Sequence, residues 1–330
     1  MGQNNQNTGQ QNDTGFPQSW YPVSRSCDLK KGQHKVIKLF GHNWLLFRSH
    51  QGKAAVMERR CQHMGADLAQ GKVLGNTIQC PLHGWRYDSD GECVHIPDYD
   101  DKLPRVKLHS LVCEEHYGLI FAYWGKKPLF PVPQPPHMTG SIASSPALTT
   151  RLDTDYLSLS MNTFDTQHFE RIHNRRYVRP PDIVSENQHV LSIHFEVSIL
   201  KRRWIDFIMS WLITDTSTVK IECWGGNLIL FTNFKLESAG LIALQPVDNE
   251  HSQAYLVALK KPNGKESIFD KLKMNIAVYL IKGFLMPDIQ ATRMMRPFKG
   301  TLIHSLDYGA EKFWDYWKQL PRHSINQKAD

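Results

Sequence analysis

Four residues in two short clusters have the types and spacing to hold an iron–sulfur centre. Cys61 and His63 are followed, after sixteen intervening residues, by Cys80 and His83. Each cluster offers one thiolate and one imidazole, so the two Cys can bind one iron of a [2Fe–2S] centre and the two His the other. Neutral imidazole removes negative charge and raises the potential above that of an all-Cys cluster. Such a centre accepts electrons from a low-potential donor and passes them on. Zinc also takes Cys₂His₂, but zinc fingers keep a Cys pair and a His pair together, whereas each cluster here mixes the two. Zinc ranks second. A pair of disulfides would need an oxidising compartment, and the chain has no secretory signal.

A second set lies at Asn162, Asp165, His168 and His173. Two His and a carboxylate are the raw material of a 2-His-1-carboxylate iron site, which leaves positions open for O₂ and substrate. Histidines five apart on a regular helix point about 140° apart, so a shared metal requires a bent or terminal segment. Alone, the pair reads as two partly exposed helical His. A neighbouring electron-transfer centre gives it a purpose.

The run Cys61-x-His63 with Cys80-x-x-His83-Gly84-Trp85 resembles the Rieske family, and Asn162-x-x-Asp165-x-x-His168-x-x-x-x-His173 is similar to the catalytic segment of the Rieske non-haem iron oxygenases. Gln62 and Met64 depart from the Pro and Arg that the family often has there. The resemblance implies that His168 and His173 ligate a mononuclear Fe(II). It implies that Asp165 is no ligand but bridges His168 to His83 of a neighbouring subunit in a head-to-tail homotrimer, and that Asn162 lines the site. The third ligand is expected in a C-terminal helix, with Asp288 preferred although Pro287 replaces the acid or Gln common in the family. Asp307 and Glu311 are the alternatives.

These residues need elements to position them. The first half alternates short strands and turns: Val36–Phe40 and Trp44–Arg48 flank Gly41-His42-Asn43 as a hairpin, Asp88 to Gly91 turns the chain, and Leu119–Trp124 closes the series. A proline-rich stretch from Pro128 to Pro136 marks a boundary. Beyond it, Asp155–His173 reads as one helix. Strands follow over Gln188–Leu200, Thr218–Trp224, Asn227–Phe234, Leu241–Val247 and Ala254–Lys260, then helices over Lys265–Met295 and Gly309–Leu320. The expected class is α+β. Its parts are a polar, disordered tail (1–16), an all-β Rieske domain (17–127), a linker (128–145), a helix-grip, START-like catalytic domain with an antiparallel sheet (146–322), and a second tail (323–330).

Among 330 residues, no run of eighteen apolar residues argues for a membrane span. The six Cys show no paired spacing beyond the cluster and favour a reducing, cytoplasmic setting. The net charge of +7 is not accompanied by any nucleic-acid fold signature, and no glycine fingerprint binds a dinucleotide. NAD(P)H is therefore expected to act only indirectly, through a separate reductase and possibly a ferredoxin. The expected activity is that of a terminal oxygenase acting with O₂ on a hydrophobic small molecule, monooxygenation being favoured. Trp204, Phe207, Ile208, Trp211, Leu212, Phe231 and Phe284 are the candidate pocket lining. The rival readings are an electron carrier with an appended domain, and a ligand-binding protein without catalysis.

Overall fold

The computed structural model describes residues 15–138, 140–173, 175–199, 216–234, 238–262, 268–293, 295 and 302–324. The candidate lining residues Trp204, Phe207, Ile208, Trp211 and Leu212 lie outside them.

The architecture is α+β with antiparallel sheets. In the first part, six strands pair in the order Ser19–Arg25, Leu119–Trp124, Ser110–His116, Ala54–Glu58, His42–Arg48, His34–Leu39. A smaller sheet runs Lys72–Leu74, Thr77–Gln79, Arg86–Tyr87, Cys93–His95. The expected hairpin is present, with Val36 opposite Leu45 and Leu39 opposite His42. The Asp88 turn forms as its sequence suggests: the carboxylate accepts from the Asp90 and Glu92 amides, and the chain reverses at Gly91.

The second part is a nine-stranded antiparallel sheet with, among the described residues, four helices against it: α1 (Tyr156–Asn162), α2 (Thr166–His173), α3 (Ile268–Thr292) and α4 (His304–Gln319). Strand alternation sorts its faces. Leu191, Ile193, Phe195, Ile229, Leu244, Ala254 and Leu256 face the helices. Leu228, Leu230, Leu241, Tyr255 and Val257 face the first part, where they meet Trp20, Leu119, Phe121 and Tyr123. Each such buried side chain contributes about 1.5–3 kcal/mol. Against a total stability of about 5–15 kcal/mol, this seam cannot be opened with both parts intact. Polar contacts reinforce it. Ser19 Oγ donates to Asn227 Oδ1 at 2.7 Å, Asn227 Nδ2 donates to the Trp20 and Leu244 carbonyls, and the Phe40 amide donates to the Pro246 carbonyl.

Several boundaries differ from expectation. The helix foreseen over Asp155–His173 is two, broken at Thr163–Asp165. The break arises because amides 163 to 165 bond three residues back, tightening the end of α1, and the Asp165 carboxylate accepts the Gln167 amide at 2.9 Å, capping a new helix. α4 includes a turn from His304, where the Asp307 carboxylate accepts the Ile303 amide, but it is kinked at Asp307 (φ −108°, ψ 21°), so its regular part starts close to the expected Gly309. Phe16 and His323, foreseen as tail residues, pair in a two-stranded sheet, where the Phe16 ring stacks on Phe40.

Candidate active site with two donor sets

The two Cys–His clusters occupy loops of the same build. In the first, the Gly65 amide donates to the Cys61 carbonyl at 2.8 Å and the Cys61 amide to the Ala66 carbonyl at 2.9 Å. In the second, the Gly84 amide donates to the Cys80 carbonyl at 3.1 Å and the Cys80 amide to the Trp85 carbonyl at 2.8 Å. Both turns close on a glycine in the left-handed region, at φ +72° and +75°, a conformation a side chain would strain. Gly84 is doubly constrained, since a Cβ there would lie 2.7 Å from Pro97. A bidentate Arg59–Asp67 pair spans the base of the first loop and holds the Asp67 carboxyl below its usual range.

This build brings the donors together in pairs, thiol beside thiol and imidazole beside imidazole. Both thiols are buried and unbridged, and burial pushes that of Cys80 up. The two His lie on the exposed side, with their Nδ1 atoms 3.1 Å apart. Two imidazole nitrogens that close share one hydrogen bond when either is protonated, and with both lone pairs turned on the same point they suit a shared iron. The His63 ring stacks on Trp85, with centroids 4.5 Å apart and planes 5° apart. Tyr87, a residue not singled out in the sequence, places its hydroxyl 3.2 Å from Cys61 Sγ. Its position two residues after Trp85, with a period-2 strand between, was the available signal.

The second set comes from two helices, α2 and α3. Asp288 is buried on α3, and its Oδ1 lies 2.9 Å from His173 Nε2 and 3.6 Å from His168 Nε2. One donor atom from each residue falls within 4.8 Å of the others. His173 is the last residue of α2, the terminal placement that two His five apart require. His168 Nδ1 lies 2.5 Å from the Asp165 carbonyl, so Nδ1 carries the proton and Nε2 keeps its lone pair toward Asp288. Burial pushes the His168 imidazole below its ordinary value, while Asp288 pulls it the other way. Neutral imidazole is the form a metal binds.

Asn162, at the end of α1, donates from Nδ2 to Asp288 Oδ1 at 3.2 Å. Asp165 differs from the role expected of it: within the chain its carbonyl, not its carboxylate, engages His168, while the carboxylate caps α2. The alternative acids are occupied elsewhere. Asp307 accepts from Gln167 Nε2 and the Ile303 amide, and Glu311 pairs with His304. Phe284 stacks on His173 at 3.9 Å and 11°, so it borders the donors directly. The Phe231 ring instead lies over Gly240, where a Cβ would approach within 2.1 Å. In the sequence Gly309 marks only a helix start. Its missing side chain lets α4 approach the break between α1 and α2, since a Cβ there would sit 2.0 Å from the Phe164 carbonyl.

Comparison with known proteins bears on the part of the chain that carries the first donor set. The family model for the Rieske [2Fe-2S] domain matches residues 19–114. Residues 19–114 are a Rieske domain. Aminopyrrolnitrin oxygenase of Pseudomonas fluorescens is 40% identical over 124 residues, which cover 35% of this chain and 34% of that protein. The chain thus spans about a third of the length of that relative. Dicamba monooxygenase bound to dicamba superposes with a TM-score of 0.66 at 16% identity, covering 93% of this chain and 98% of that one. The fluorene-bound oxygenase of carbazole 1,9a-dioxygenase, solved with its ferredoxin, gives 0.71 at 18% identity over 95% and 93%. The Rieske domain and the sheet-and-helix part behind it therefore share one fold with solved oxygenases from end to end.

Proposed function

We propose that the chain is the terminal oxygenase of a multicomponent system, oxidising a hydrophobic small molecule with O₂. The observation that carries this reading is the coexistence, on one fold, of a Rieske domain with a buried His168/His173/Asp288 set. A carrier has no use for the second set. Cys61 and Cys80 would hold one iron of the cluster, His63 and His83 the other, and the triad a mononuclear Fe(II). When bound, these groups supply single electrons and O₂ activation respectively.

The chain's own residues do the rest. Asp165, through its carbonyl, holds His168 in the metal-binding tautomer. Asn162 fixes the carboxylate of Asp288 against rotation, and Phe284 shields His173 from water on one side. The domains run over 17–127 and 146–322, joined by the linker 128–145.

Electrons would come from NAD(P)H through a separate reductase, with or without a ferredoxin. Met64 and Leu82 are exposed beside His63 and His83, an apolar rim suited to docking. We assign that rim to the next subunit of a homotrimer, in which the free edge of the Asp165 carboxylate would meet the partner's His83. Monooxygenation is favoured over cis-dihydroxylation. The test is iron and O₂ stoichiometry: about three irons per chain and substrate-dependent O₂ uptake with a generic reductase across hydrophobic compounds. Two irons per chain and no uptake would instead mark an electron carrier.

A further inference from the structure

α3 is apolar around most of its circumference, the character of a helix buried on all sides. It is not so buried. Met274, Val278, Leu285 and Ile289 pack on the sheet, but on the opposite side Leu272, Ile276, Tyr279, Leu280 and Phe284 are 55%, 52%, 63%, 46% and 45% exposed. Their spacing of four, three, one and four residues puts them on one face, a stripe about 18 Å long.

A second observation lies at the N-terminal end of the same helix. A groove of about 440 Å³ is walled by Lys260 and Lys261 from the end of the last strand, Lys271 and Asn275 from α3, and Ser144 and Ser145 from the adjoining edge. No acidic side chain lines it among the described residues. Over Ile268–Thr292 the helix carries three Lys and two Asp, and one of the Asp, Asp288, is turned to the donor set.

We propose that this face seats on an anionic lipid surface, with the α3 stripe in the headgroup boundary and a lipid phosphate in the lysine groove. Apolar residues beside a cationic groove are what an interfacial helix presents, and Tyr279 offers the amphipathic ring that sits at headgroup level. A second copy fits less well. An isologous contact would oppose like-charged lysines, the head-to-tail contact proposed above runs instead between the Met64/Leu82 rim and Asp165, and a single helix stripe falls well short of the roughly 800 Å² per partner of a stable interface. No helix among the described residues is long and apolar enough to cross a membrane, so the contact is peripheral. The stripe ends at Phe284 on His173, so an apolar substrate could pass from the leaflet to the donor set; this consequence rests on the oxygenase reading, whereas the docking does not.

Vesicle sedimentation of the full holo-chain tests it. Binding is expected to vesicles containing about one third phosphatidylglycerol, weakly to phosphatidylcholine alone, and to fall as salt rises. Leu272→Glu with Ile276→Glu, and separately Lys261→Ala with Lys271→Ala, should each cut partitioning at least about tenfold. The visible spectrum of the cluster reports folding, and should the glutamate pair fail to fold, the lysine pair still decides. No binding by the wild type, equal binding to neutral vesicles, or binding unchanged in the lysine pair would overturn the proposal. So would a smaller particle in sedimentation velocity for the glutamate pair without lipid, which would make the face a contact between copies. O₂ uptake with a water-soluble substrate is scored separately, so failure to dock and failure of the oxygenase reading are distinguishable.

Discussion

The two donor sets differ in how much of the chain each needs. The cluster set draws on 23 consecutive positions, Cys61 to His83, and two turns of one design. The triad joins α2 to a residue 115 positions away on α3, whose carboxylate is held by Asn162 from a third helix. One is closed by its own backbone and open to the surface on its His side. The other is buried and held by neighbours that must all arrive. A site through which electrons enter can be local and exposed; a site that handles O₂ and substrate gains from distance and burial.

If the two sets are independent in this way, damage to one should spare the other. The largest effect is expected from Asp288→Ala. Iron content should fall by about one per chain with the cluster spectrum intact, and turnover should drop by more than the roughly 100-fold that loss of an outer partner costs. Bleaching of the cluster in that variant would break the contrast. Asn162→Ala removes such an outer partner and should weaken iron binding about 10- to 100-fold, read by metal titration. Gly309→Ala forces a Cβ against the Phe164 carbonyl and should cost about 1–3 kcal/mol in thermal unfolding, with iron lost from the triad before the cluster.

On the other side, Tyr87→Phe removes the hydroxyl at Cys61 Sγ. The cluster potential should fall by some tens of millivolts, on the order of a charged hydrogen bond's contribution, in a voltammetric measurement. An unchanged potential would show that the hydroxyl does not act on the sulfur. The smallest effect concerns acid. Because Arg59 holds Asp67 below its ordinary value, the pair stabilises the first loop above about pH 4 and loses that contribution as pH falls through the depressed value. Asp67→Asn should therefore weaken retention of the cluster at neutral pH and flatten its loss below about pH 4, followed by visible absorbance.

How much could be read beforehand follows the same divide. Cys61, His63, Cys80 and His83 declare themselves because their spacing is their geometry. The strands of the large sheet were legible too, since their apolar residues alternate. The break at Thr163–Asp165 was not, because the residue that restarts the helix, Asp165, also fits a helix interior by pattern. Asp288 needed a resemblance, as no local rule relates it to His173. Gly309 looked like a terminus, and only the approach of the Phe164 carbonyl reveals why a glycine sits inside α4. Asp182–Asn187 escaped notice because an edge strand so polar carries little periodic signal.

The shared core at Trp20, Phe121, Leu230 and Val257 carries one more consequence. Two regions that bury each other unfold together, so the chain should melt in a single transition rather than two. A cofactor that binds only the folded form lowers the free energy of that whole unit. Loading of the Rieske loops would then protect strands far beyond them from proteolysis, and the survival of the distant sheet becomes a gauge of cluster occupancy.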